Sequence, residues 1–127
     1  KYIADDEDLN PAVFLSLVNS VWPGEYKIAK TEEALRKTIN FTAWKGDELI
    51  GCARILTDGY FFSTIPEILV NPDYQKQGIG AELMKLVWDK SPSSLSFGVQ
   101  VGNEPFFEKL GYERGLYSYR RKKDRNK

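Results

Sequence analysis

A mixed α/β fold follows from three features of the sequence. Apolar residues recur at helical spacing in two stretches, Val13, Phe14, Leu17, Val18 and Val21, then Ile79, Leu83, Leu86 and Val87. Between them lie two β-type runs, Phe41 to Trp44 and Leu49 to Leu56, joined through Lys45-Gly46-Asp47 as a hairpin. A third apolar run, Ile68-Leu69-Val70, is carried into the second helical stretch by a glycine-bearing turn, Gln75-Lys76-Gln77-Gly78-Ile79-Gly80-Ala81. With 127 residues the chain has the size of one domain with one sizeable core.

Taken in order, Asn10-Pro11 supplies an N-cap and a proline at the first helical position, so a helix is expected from about Pro11 to Val21, ended by Trp22-Pro23-Gly24. A second helix is expected from Thr31 as cap through Glu32, Glu33, Leu35 and Ile39, its early carboxylates facing the positive end of the dipole. Glu25 to Ile28 reads neither way. After the hairpin, Asp58-Gly59 signals a turn into a strand from Tyr60 to Val70. Pro66 has no N–H for a sheet ladder, which calls for a bulge or an edge there. A helix follows from Gly78 to about Lys90 and breaks at Ser91-Pro92-Ser93-Ser94. Leu95 to Val101 reads as a fifth strand, parallel to the fourth because a helix joins them. Gly102-Asn103-Glu104-Pro105 opens a short helix capped by Asn103 and closed by Gly111, and Tyr112 to Arg120 supplies one or two last strands.

Composition narrows the chemistry. A hydrophobic share of 42% with 28% charged residues belongs to a soluble globular chain, and no run of about 18 apolar residues could span a bilayer. The start lacks a charged-then-apolar leader, so a cytoplasmic location is expected. The absence of histidine excludes Ser-His and Cys-His catalytic pairs and histidine-dependent zinc sites, and no metal is expected. The one cysteine, Cys52, lies in a strand pattern and reads as a small buried hydrophobe. Charge balances at 18 basic and 18 acidic residues, but six of the basic ones fall between Arg120 and Lys127. A short basic terminus is ordinarily a solvated end. The competing reading, a nucleic-acid or membrane contact through Arg120 to Arg125, is the weaker one. Exposed sheet edges allow a homodimer.

The turn at residues 75–81 carries the function. A strand delivers the chain to it, a helix leaves with its first amides unsatisfied, and Gly78 and Gly80 strip side chains from the apex, which makes an anion cradle. Neither the Gly-x-x-x-x-Gly-Lys-Ser/Thr loop nor the dinucleotide glycine triplet is present, since Leu83 occupies the third glycine position. The pattern Gln-x-x-Gly-x-Gly after Val70-Asn71-Pro72-Asp73-Tyr74 instead resembles the acyl-CoA pyrophosphate loop of the GNAT superfamily of N-acetyltransferases. The segment Pro105-Phe106-Phe107-Glu108-Lys109-Leu110-Gly111-Tyr112 resembles the second signature of that family, and Asp47 to Arg54 looks like its second and third strands. The resemblance covers residues 41 to 120 well and the first 40 poorly.

The resemblance implies one acyltransferase domain over residues 1–127, with a mostly antiparallel sheet of six to seven strands. It implies a splayed parallel pair made by the fourth and fifth strands, a bulge in the fourth, and about four helices. It further implies that acetyl-CoA is the acyl donor. Amides of Gln77, Gly78, Ile79, Gly80 and Ala81 would hold its pyrophosphate, with Gln75 and Lys76 at the flank, backbone of Leu69 and Val70 aligning the pantetheine, and Asn103 and Phe107 beside it. The N–H of Leu69 would polarise the thioester carbonyl. An alkylamine is almost fully protonated at neutral pH, so a base is needed, and Glu67 is the carboxylate best placed by sequence; a salt-bridged strand glutamate is the equal alternative. Many family members carry a tyrosine as thiolate acid where this chain has Phe107, which leaves solvent or one of Tyr112, Tyr117 and Tyr119 for that task. Trp22, Tyr26 and Phe41 are acceptor-pocket candidates by the same resemblance. The reading is an acetyl transfer to a primary amine by direct attack. The alternative is a non-catalytic acyl-CoA-binding module, to which Phe107 points and against which Glu67 counts. Small amine, antibiotic, peptide N-terminus and lysine side chain stay open as acceptors.

Overall fold

The sheet grows outward from one long hairpin. In the computed structural model, which describes residues 1–93, 96–98, 104–115, 119 and 121–124, β2 (Ile39–Lys45) and β3 (Glu48–Thr57) pair antiparallel. Gly46 turns the hairpin at φ +59, the left-handed conformation that glycine adopts without a Cβ penalty. β1 (Tyr2–Ile3) adds antiparallel to β2, β4 (Ser63–Val70) antiparallel to β3, and β5 (Ser96–Gly98) parallel to the start of β4. The order is β1-β2-β3-β4-β5.

Each face of this sheet is covered by helices. On one, Phe14, Leu15, Leu17 and Val18 of α1 (Pro11–Val21) and Leu35 of α2 (Ile28–Arg36) bury against Leu49, Cys52 and Leu69. On the other, Ile79, Leu83, Met84 and Val87 of α3 (Ile79–Lys90) bury against Phe41, Ala43, Ala53, Ile55 and Ile65. Phe106 and Phe107 of α4 (Glu104–Lys109) pack on that second layer. Side chains such as Leu83, with no exposed surface, each contribute about 1.5–3 kcal/mol of burial. No helix among the described residues is long and apolar enough to cross a membrane.

The first helix spans Pro11–Val21 as expected, with Asn10 Oδ1 accepting from the N–H of Ala12 and Val13. The second starts three residues before Thr31. Thr31 is not its cap, since its N–H and hydroxyl both donate to Lys27 O at 2.9 Å, inside the first turn. Glu32 and Glu33 therefore sit past the dipole end, and Glu32 pairs with Arg36 instead. Ile39 opens β2 rather than closing the helix, because Asn40 Nδ2 takes the last-turn carbonyl of Leu35 at 2.9 Å. Tyr60, Phe61 and Phe62 precede β4 rather than start it. Asp58 Oδ1 accepts the N–H of Tyr60 and Phe61 at 2.9 and 2.8 Å, and those donors hold its carboxyl below the usual range.

The described residues form five strands, not six or seven. β1 was not expected from so short a run beside acidic residues, and residues 112–115, expected as strand, are irregular. Of the fifth strand expected over 95–101, residues 96–98 are described as β5; Leu95, residues 99–101, Asn103, Tyr117, Arg120 and Arg125 lie outside the described residues.

Candidate functional site

The site is set by the path of β4. Arg54 pairs with Glu67, but Leu56 pairs with Thr64, so three steps on β4 oppose two on β3 and one extra residue falls at Ile65–Pro66. Pro66 is thus accommodated by a bulge, one residue past the stretch over which β5 is described as pairing with β4. The bulge puts Ile65 and Ile68, three apart, on the same α3-side core, while Leu69 packs on the α1 side.

Ladder alternation then fixes where each peptide group points. Asn71 N–H donates to Ile50 O at 2.8 Å, which makes Asn71 and Ile50 a hydrogen-bonded pair. Two residues on, Leu69–Cys52 is the next such pair and Glu67–Arg54 the one after. The N–H of Leu69 is therefore turned into β3 and is committed to the ladder, which corrects its expected role as carbonyl-polarising donor. Ile68 and Val70 instead present their peptide groups toward β5. Among the described residues β5 pairs with β4 only over Ser63, Thr64 and Ile65. Val70 O accepts from Gln75 Nε2 at 3.1 Å, so Gln75 ties the turn back to the strand that feeds it.

The turn itself is built locally. Asn71 Oδ1 accepts from Asp73 N–H at 2.9 Å and caps a 3-10 turn over Pro72–Tyr74, and Tyr74 OH donates to Glu48 Oε1 at 2.9 Å. Lys76 at φ +64 and Gly78 at φ +84 reverse the chain into α3. The first helical bond runs from Glu82 N–H to Gly78 O at 3.0 Å, so the amides of Ile79, Gly80 and Ala81 have no acceptor within the helix. Gly78 brings no side chain to cap them. Gln75, Lys76, Gln77 and Gly78 are exposed around this mouth. A Cβ on Gly80 would stand 3.6 Å from the Phe106 ring and 3.8 Å from Val70 Cγ2, filling the gap between α4 and the end of β4.

Glu67 faces the other way, toward α1. Its Oε1 is ion-paired with Arg54 Nη2, with side chains 12% and 16% exposed, and the guanidinium lies 5.5 Å from the Phe14 ring centroid. Beside them the Cys52 thiol is pushed far up by burial and then by the Glu67 charge, so it stays protonated and unreactive. Asp6, 8% exposed, accepts from Thr42 Oγ1 at 2.8 Å, and Thr42 accepts from Trp44 Nε1.

The structure brings residues 75–81, Val70 and Phe106 together and holds Glu67 on the opposite sheet face. Phe107 is part-buried, edge-on to Phe106 at 5.4 Å and to Tyr112 at 5.5 Å. The Tyr112 hydroxyl is buried with no partner among the described residues, and burial raises it above the ordinary tyrosine value; Tyr119 is almost fully exposed. Phe41 is a fully buried core residue on the α3 side and lines no acceptor pocket. Trp22 is half exposed at the end of α1, and the Tyr26 hydroxyl donates to its carbonyl at 2.9 Å. Sequence reasoning missed Arg54 and the outward peptide groups of Ile68, because cross-strand register and ladder alternation leave no mark in a single sequence. No cluster of potential metal ligands occurs among the described residues.

Comparison with known proteins bears on the family and the fold. Residues 36–114 match the model of the Acetyltransferase (GNAT) domain. An acetyltransferase structure from Deinococcus radiodurans R1 superposes with a TM-score of 0.80 at 25% identity, covering 95% of this chain and 87% of that one. A GNAT family protein from Streptococcus pneumoniae TIGR4 shares the fold with a TM-score of 0.77 at 24% identity, covering 96% and 98% of the two chains. In sequence, 70 residues are 33% identical to the chloroplastic GCN5-related N-acetyltransferase 2 of Arabidopsis thaliana, a stretch that is 52% of this chain and 27% of that protein.

Proposed function

Because the chain belongs to the GNAT acetyltransferase family, we propose that it moves an acetyl group from acetyl-CoA to a primary amine by direct attack, with no acyl-enzyme. The observation that carries this reading is the mouth of α3, where three uncapped amides open beside the end of β4. The amides of Ile79, Gly80 and Ala81, aided by the helix dipole, hold the diphosphate of the donor, and Lys76 adds charge at its flank. The pantetheine arm runs from this mouth along the outward edge of β4, where Ile68 and Val70 turn their peptide groups away from β3. The thioester supplies the activated acyl carbon.

The outward N–H groups on β4 belong to Ile68 and Val70, and one of them donates to the thioester oxygen in the role the sequence alone gives to Leu69. Glu67 removes the proton that the amine nitrogen must lose as the C–N bond forms and the C–S bond breaks. The thiolate takes its proton from solvent, since Phe107 has none to give and the Tyr112 hydroxyl is buried among aromatic rings. A second reading, a donor-binding module without turnover, is favoured by the same absence of an acid and by the pairing of Glu67 with Arg54.

Calorimetric titration with coenzyme A, followed by thiol release from acetyl-CoA across a panel of amines, tests the proposal. Micromolar uptake with turnover of at least one amine is expected. Uptake without turnover supports the module, and no uptake removes the cradle.

A further inference from the structure

Glu67 does not stand alone on its face of the sheet. Its Oε1 is paired with Arg54 Nη2 directly across the β3–β4 ladder, and its Oε2 takes no hydrogen bond among the described residues. Arg54 is held from above by the Phe14 ring of α1, a helix whose sequence, PAVFLSLVNSV, contributes no ionisable group. The Cys52 thiol, protonated, lies within reach of the charges of Glu67, Arg54 and Asp6, and Asp6 Oδ2 accepts from the Thr42 hydroxyl. The Nε–H of Arg54 is buried and has no acceptor among the described residues.

Nε–H and the neighbouring Nη2–H form one edge of the guanidinium fork, the edge that grips both oxygens of a carboxylate when a pair is bidentate. Here only Nη2 is used. The carboxylate is gripped by one oxygen and its second oxygen is left outside the fork, although a buried donor stands next to it unused. Leaving such a donor unpaired costs about 1–3 kcal/mol in general, so the one-point grip is a feature that needs a reason.

We propose that Arg54 is a positioning residue for the acyl transfer, holding Glu67 by one oxygen so that the other is presented to the acceptor amine; this rests on the reading of Glu67 as the base. Phe14 fixes the plane of the guanidinium, the guanidinium fixes the carboxylate, and the carboxylate meets the amine. Arg54 itself touches neither substrate. It acts on the rate through the geometry of Glu67, and a base misplaced by about 1 Å loses on the order of 100-fold.

A double-mutant cycle tests this on the full chain with acetyl-CoA and the best amine of the panel. Arg54→Met is expected to lower kcat about 10- to 100-fold while the KM for acetyl-CoA stays within about twofold. Arg54→Lys keeps a cation against the part-buried carboxylate, and with it the fold, but lacks the planar fork; it is expected to recover only part of the rate. In a Glu67→Gln background, Arg54→Met should change kcat by less than about twofold, since a residue that acts through Glu67 has nothing left to act on. An Arg54→Lys enzyme with full kcat, or Arg54 and Glu67 effects that multiply, would overturn this inference alone. A Glu67→Gln enzyme as fast as the parent would overturn the base assignment as well.

Discussion

At Gly51 the sheet lies close against the first turns of α3, and Gly51→Ala measures what that contact does. A Cβ there would stand 3.0 Å from Ile79 Cγ2, 3.1 Å from Leu83 Cδ1 and 3.4 Å from Leu69 O. Carbon atoms settle at about 3.5–4.0 Å, so roughly 0.5 Å must be found. Ile79 cannot yield it by rotation, because a β-branched side chain in a helix has one strongly preferred rotamer. Leu83 is fully buried and has nowhere to go. The first turn of α3 must lift instead, and overpacking of this kind costs about 1–3 kcal/mol. The same lift moves the amides of Ile79, Gly80 and Ala81. Loss of one well-aligned, charge-assisted hydrogen bond, at about 1.5 kcal/mol, weakens coenzyme A roughly tenfold. Urea unfolding and calorimetric titration of the same sample read both effects. A variant that loses stability yet binds coenzyme A as tightly as the parent would show that the diphosphate does not rest on these amides, and an unchanged unfolding midpoint would refute the packing argument.

Gly78→Ala separates backbone strain from contact: the added Cβ meets nothing within 4 Å, so the cost is that of φ +84 alone, about 1–2 kcal/mol by chemical denaturation, and Gly78→Asn should cost less. Gln75→Leu removes the bond to Val70 O and should weaken coenzyme A binding about three- to tenfold while changing fold stability by less than about 1 kcal/mol, as seen in paired titration and melting experiments. Cys52 gives a pH signature. Burial raises its folded value, so the stability it contributes is complete below the unfolded value of about 8.5 and falls as pH rises above it, by at most about 1.4 kcal/mol per unit. Unfolding free energies of the parent and Cys52→Ala should therefore converge between about pH 8.5 and 9.5, and parallel curves would contradict the assignment.

What could be read from the sequence was what depends on neighbours in the chain. Asn10-Pro11 states a helix start in two residues, Gly46 states a hairpin, and Gly78 with Gly80 states the mouth of α3, because capping and left-handed φ values are local demands. Thr31 misled for a related reason: its hydroxyl suits a cap, but in the structure it bonds back to Lys27 O within the first turn. β1 was illegible because two residues gain strand geometry only from the edge of β2. The proposed donor site was thus visible as a loop and two glycines. Phe106, brought by α4 to within 3.6 Å of where a Cβ on Gly80 would lie, belongs to tertiary structure, as does the Arg54–Glu67 pair, which joins residues 13 apart through a register no single sequence displays.

The extra residue at Ile65–Pro66 is what lets one strand serve three masters. A regular strand has two faces, and a one-residue slip exchanges them. With the bulge, Ile65 and Ile68 both anchor β4 against α3, while Glu67 and Leu69 point at α1. Below the bulge β4 pairs with β5 over Ser63, Thr64 and Ile65; above it, the peptide groups of Ile68 and Val70 turn toward the same side, and the Val70 carbonyl is taken by Gln75. The carboxylate, the outward amides and the entry to the glycine turn therefore come from consecutive residues of one strand, yet face different directions. Proline at position 66, without an N–H to give, costs the ladder nothing where the ladder is already interrupted. A residue that looks like a defect in a strand is here the device that assigns each neighbour its direction.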